Sequence, residues 1–194
     1  VMRLQAGRWL VAWSLVLALG PALADDYGDA LKAFRNAGQS AKFFKSSYGY
    51  ALFPTIGKGG VGIGGAHGSG RVYAKGALVG DTSMTQITVG LQLGGQAYSE
   101  IIFFENKRAF DEFTGGNFEF GAQATAVAIT AGASAQTSTT GTGTSAGGSA
   151  GKSKATSAGY QNGMAVFTVA KGGLMYEATL GGQKFSYKPK GASK

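Results

Sequence analysis

Apolar residues at Ala30, Leu31, Phe34 and Ala37 fall on one helical face, behind an acidic start at Asp25, Asp26 and Asp29. That spacing predicts a short helix ending near Gly38. Ser40 is placed to cap a second helix through Ala41, Phe43 and Phe44, with Lys42 and Lys45 on its edges. From Tyr48 the period changes. Residues 49–56 and 60–66 read as strands, and His67, Gly68, Ser69 and Gly70 as a turn into a strand over 71–79. Residues 84–93 alternate strictly, with Ile87, Val89, Leu91 and Leu93 on one face and Met84, Gln86, Thr88, Gly90 and Gln92 on the other. This predicts a half-buried antiparallel strand with the aliphatic face inward.

A strand over 98–105 follows, then a helix over 107–113 with Ala109, Phe110 and Phe113 as its buried stripe, stopped by Gly115 and Gly116. Phe118, Phe120 and the alanine-rich run to Ala133 read as extended. Residues 134–159 hold only Ala, Gly, Ser and Thr apart from Gln136, Lys152 and Lys154, too little apolar surface to offset ordering, and are expected to form a mobile insertion. Strands over 164–170 and 174–180 come next, then a turn at Gly181 and Gly182 into a strand over 183–187. The sum is an α+β protein. About seven or eight glycine-rich strands form a curved antiparallel β-sheet or partial barrel, packed against a few short helices.

Composition narrows the function. Glycine accounts for 34 of 194 residues without a collagen period, and there is no cysteine, hence no disulfide, thiolate metal site or cysteine nucleophile. Arg3 and Arg8, an uncharged apolar run over 9–19, Pro21 and the Ala22-Leu23-Ala24 cleavage pattern read as a signal peptide over residues 1–24. The expectation is an exported, periplasmic protein, with 25–194 as a single domain. Removing the leader leaves 16 basic against 10 acidic side chains, a net +6. That charge suits anionic partners, and export argues against nucleic acid among them.

The candidate chemistries fail on their partners. Gly57-Lys58-Gly59-Gly60-Val61-Gly62 matches GxGxxG, and Asp81 lies at a suitable distance. The glycines that follow would ruin the helix a dinucleotide site needs. The segment from Ala146 to Gly151-Lys152-Ser153 resembles a phosphate loop but lacks a strand before it and a helix after it. His67, the only histidine, invites a triad with Asp81, yet no GxSxG elbow accompanies it. The carboxylates show no metal-ligand spacing. No cofactor, metal or catalytic residue is therefore expected, and the protein is read as not an enzyme. Lys42-Phe43-Phe44-Lys45 sets two rings between two lysines, a pattern that allows ring insertion at a membrane; the alternative is that both rings are core.

Three stretches, taken together, resemble one family. They are Tyr48-Gly49-Tyr50-Ala51-Leu52-Phe53-Pro54, the glycine ladder from Gly57-Lys58-Gly59-Gly60 to Gly68-Ser69-Gly70-Arg71, and the run from Gly90-Leu91-Gln92-Leu93-Gly94-Gly95 to Glu100. The order of an A-x-F-P strand, a lysine-glycine turn, a ladder ending in G-x-G-basic and then G-x-Q-x-G-G is similar to the SYLF lipid-binding domain in its short exported bacterial form. The tail from Gly163 to Glu177 is similar to that family's final strands. The resemblance implies phospholipid binding through basic residues, phosphoinositides in eukaryotic members, and no catalysis. It carries over Lys58 and Arg71 as lipid-binding positions. Lys42, Phe43, Phe44, Lys45 and Lys75 are added from their own chemistry. The insertion at 134–159 departs from the family pattern.

The reading is non-enzymatic, peripheral binding of anionic phospholipid at the cell envelope. The alternative is a structural or protein-interaction envelope protein acting through sheet edges or the flexible loop, with homo-oligomers as one form of it.

Overall fold

The computed structural model describes residues 20–90, 95–122, 124, 126–129, 159–171 and 180–191. Helix α1 spans Gly20–Asn36, through the expected cleavage position, and is followed by two single-turn helices, α2 (Gly38–Ala41) and α3 (Phe43–Ser46). Strands β1 (Gly49–Ala74), β2 (Ala77–Gly90) and β3 (Gln96–Phe104) lead to helix α4 (Lys107–Thr114). Strands β4 (Phe118–Glu119), β5 (Val127–Ile129), β6 (Met164–Lys171) and β7 (Gln183–Pro189) complete one curled sheet in the order β4-β7-β2-β1-β3-β6-β5. All pairings are antiparallel except β5 with β6. The expected α+β class with a curved antiparallel sheet and short helices is what the chain forms. The predicted strand over 174–180 and the insertion at 134–159 fall mostly outside the described residues.

Strand β1 is two arms. Residues 49–58 pair with β3 and residues 62–74 with β2. The arms lie side by side: the Lys75 amide donates to Tyr48 O at 3.1 Å, and a Cβ on Gly68 or Gly70 would run into Ile56 or Phe53 of the other arm. This corrects the turn predicted at 67–70. Glycine there gives a close backbone approach, and the strand runs on to a turn at Lys75 (φ 49°) and Gly76 (φ 83°), inside the strand predicted over 71–79. A Cβ at Gly70 would stand 2.7 Å from the Phe53 ring and 2.8 Å from Leu52 O, whereas Gly57 faces open space. Gly70→Ala is expected to cost about 1–3 kcal/mol by overpacking, and Gly57→Ala much less. Thermal unfolding of the two variants checks this, and equal effects would contradict the close approach.

The sheet separates two cores. On its inner face Phe53, Ile56, Met84, Ile102, Phe104, Val166 and Phe185 gather, closed by Ala109 and Phe113 of α4. Helix α4 starts where expected, with the Asn106 side chain accepting from the Ala109 amide at 3.1 Å. On the outer face Ala30 and Phe34 of α1 and Phe43 of α3 cover Leu52, Ile101, Phe103 and Phe167. Ser40 lies inside α2, and its hydroxyl donates to Phe34 O at 2.5 Å. It therefore satisfies a carbonyl at the end of α1, where a cap at the start of the second helix was expected.

The facing of β2 is the reverse of the prediction. Thr82, Met84 and Gln86 are buried, and Ile87 is 79% exposed. The inward Gln86 amide is satisfied by donating to Gly181 O at 2.9 Å, so the polar residue carries no desolvation debt. Leu91 and Leu93 lie outside the described residues.

Candidate functional site

The outer face carries a layer of aromatic rings under a set of cations. Phe43 stacks on Phe103 at 5.5 Å between centroids, Phe44 meets Phe103 edge-on at 4.9 Å, and Tyr50 stacks on Tyr73 at 4.8 Å. Over these and neighbouring rings lie three cationic heads: Arg35 is 5.2 Å from the Phe44 centroid, Lys42 5.2 Å from Phe43 and Arg71 4.2 Å from Tyr27. A fourth, Lys75, is 5.7 Å from Tyr48, whose ring meets Phe110 of α4 and so stands beside the inner-face cluster. Such contacts fix the stem while leaving the charge at the surface. Burial raises Tyr27 above its ordinary range against the opposing pull of Arg71. Burial also raises Tyr50, with Tyr73 adding to it and Arg35 opposing. Both phenols are therefore neutral near pH 7 and do not cancel the guanidinium charges.

The ion pairs of the described residues use other cations: Lys32 with Asp29, Lys107 with Asp111, Arg108 with Glu112, Lys171 with Asp26 and Lys184 with Glu119. None of these pairs engages Arg35, Lys45, Lys58, Arg71 or Lys75. Arg71 nonetheless faces Asp81 across the β1–β2 register, and Arg35 hydrogen-bonds Tyr50.

The residues singled out in the sequence do not form one cluster. Lys42 and Lys45 are exposed at α2 and α3, and Arg71 is half-buried beside α1, opposite Asp81 in the β1–β2 register. Lys58 is half-buried near the reversal of β1, and Lys75 sits at the other end of the second arm. Membrane insertion of Phe43 is corrected. It is 3% exposed, enclosed by Phe103, Phe167 and Tyr160, and belongs to the core. Phe44 is half-buried against Phe103 and Tyr50, so the core reading of the pair is the one the packing supports. Arg35 was not singled out, because it sits on an ordinary amphipathic helix and no motif contains it.

His67 is exposed on the outer face and pairs with Thr85, whereas Asp81 pairs with Arg71, four residues along. At about 3.4 Å per residue that separates the two by roughly 14 Å, too far for a triad contact. Glu100 is different: it is fully buried on the inner face, and its Oε2 accepts from Gln183 Nε2 at 3.2 Å. Burial pushes it up to about 8, with the Gln183 bond opposing, so near pH 7 it is mostly the neutral acid.

A family model described as "Ysc84: Las17-binding protein actin regulator" matches residues 85–188, more than half of the chain. The chain belongs to the Ysc84 family. This is the SYLF-domain family that the sequence motifs resemble. No curated protein matches the chain. The match runs from the second half of β2 through most of β7, so the Ysc84 unit includes β3, α4 and β6. Arg35 and all seven residues singled out for lipid contact precede it. Among the described residues, no helix of this Ysc84-family chain is long and apolar enough to cross a membrane.

Proposed function

We propose that this Ysc84-family chain is exported and binds anionic phospholipid peripherally at the cell envelope, without catalysis. The observation that carries the reading is the set of cations over aromatic rings, of which Arg35, Arg71 and Lys75 engage none of the described ion pairs. Headgroup phosphates suit it: the guanidinium and ammonium heads are prepositioned, and each contributes about 1 kcal/mol at an anionic surface, so several act together. The SYLF resemblance implies the same ligand class.

A second reading, a structural or protein-interaction protein of the envelope, has its own support. The family description names a protein partner. Strand β4 pairs with β7 at Phe118–Phe185 and Glu119–Lys184, and the Phe120 amide donates to Gln183 O, which leaves the edge over residues 186–189 to another strand.

Co-sedimentation of residues 25–194, which contain every buried side chain described, separates the two. Binding is expected on phosphatidylglycerol-containing vesicles and not on phosphatidylcholine alone, and it should fall steeply between low and moderate salt. Lys58→Glu with Arg71→Glu is expected to weaken it by about tenfold or more, from roughly 1 kcal/mol per basic contact. Salt-insensitive binding would sink the electrostatic account. Binding untouched by the two reversals would move the site elsewhere, and absence of binding with concentration-dependent size would favour the protein-interaction reading.

A further inference from the structure

We propose that the end of the sheet bearing Ile63 and Ile87 enters the lipid interface as an apolar wedge, with an anionic bilayer as its occupant; the inference rests on the phospholipid reading above. Ile63 is 71% exposed and Ile87 79%, the large hydrophobics left in solvent among the described residues. Gly65 pairs with Ile87, and Ile63 lies two residues further along the same arm, so the two side chains are diagonal neighbours on one face. Gly65 between them adds no side chain that would keep a surface away.

Charge favours lipid. Residues 55–70 and 82–90 contain no carboxylate, and Lys58 stands at this end where β1 reverses. An anionic surface lying along the outer face here therefore meets the two isoleucines and no repelling acid from residues 55–70 and 82–90, while Lys58, two residues on from the inward Ile56, stands at the same end on the other face. Area favours lipid over a second copy of the chain. Two isoleucines present on the order of a few hundred Å² at most, against the roughly 1,200 Å² that specific protein interfaces bury. Ile63 and Ile87 themselves sit within the β1–β2 register, opposite Val89 and Gly65.

The chain has no cysteine, so Ile87→Cys gives a single attachment point for an environment-sensitive NBD fluorophore on the full chain. Lys190→Cys, at the other end of β7, is the control. With mixed phosphatidylcholine–phosphatidylglycerol vesicles, a severalfold rise in emission at position 87, quenched by nitroxide-bearing lipid, and a flat signal at 190 are expected. The unlabelled pair Ile63→Ser and Ile87→Ser should keep low-salt binding within about twofold and lower the salt-resistant remainder by tenfold or more. Anion-dependent, salt-sensitive pelleting with a silent probe at 87 overturns the wedge and leaves the phospholipid reading intact. Loss of that pelleting for the unmodified chain overturns both. A response at 87 that follows protein concentration without vesicles assigns the patch to a second copy and overturns the lipid occupant.

Discussion

Phe103→Ala is expected to lower stability by about 3–5 kcal/mol, the cost of emptying a fully buried aromatic site. Phe103 is 0% exposed on the outer face of β3, and its ring meets Phe43, Phe44, Tyr50 and Phe167 at centroid distances of 4.9 to 6.0 Å. It is the hub through which α3 rests on the sheet. Helices of four residues have no stability of their own, because nucleation costs more than one turn returns. The substitution therefore acts twice: it opens a cavity, and it loosens the support under Lys42, Lys45 and Arg35. Urea unfolding should show a lower midpoint with little change in slope. Phe44→Ala, half-buried beside it, should cost clearly less. A loss below 1 kcal/mol for Phe103→Ala would mean that the helices dock by other contacts.

The second large effect depends on pH. Burial lifts the Glu100 carboxyl from an ordinary 4.5 to about 8, with the Gln183 hydrogen bond pulling the other way. The folded chain then keeps a proton that the unfolded chain releases between those two values. Stability from this group is full below about pH 4.5 and is lost as pH rises toward 8, at about 1.4 kcal/mol per unit, so a few kcal/mol in total at the upper bound. Glu100→Gln holds the neutral shape without the titration. The difference in unfolding free energy between wild type and variant should move in the variant's favour from pH 5 to about pH 8 and level off above it, and a pH-independent difference would refute the buried acid. Gln183 Nε2 also lies 3.4 Å from Tyr98 Oη, and Tyr98 is itself raised by burial and then by Glu100. The site therefore resists negative charge on either group.

Elements with a strong local signal were legible in the sequence. Helix α4 combines a capping asparagine, a stripe at Ala109 and Phe113 and a glycine stop. Strands β3 and β6 are apolar runs that the sheet buries on both faces. Glycine misled where its purpose was non-local: Gly68 and Gly70 look like a turn until the other arm of β1 lies against them. Alternation in β2 marked two faces without saying which one the curl would enclose. The partner that lets Gln86 turn inward, Gly181 O, comes from 95 residues away. The site was legible as residue types and not as an arrangement. Lys58, Arg71 and Lys75 stand apart because one arm separates them, and Arg35 joins the aromatic layer only through the packing of α1.

The pairing of β2 with β7 also sets an order in time. Thr82 Oγ1 donates to Ser186 O across 104 positions of the chain, and the register continues from Gly80–Pro189 to Gln86–Gln183. A ribosome releases β2 long before its outer neighbour exists, so that side of the sheet stays unpaired until nearly the last residues emerge. Closure of this side of the sheet therefore comes last, and the nascent β2 stays pliable on that side for nearly the whole of synthesis.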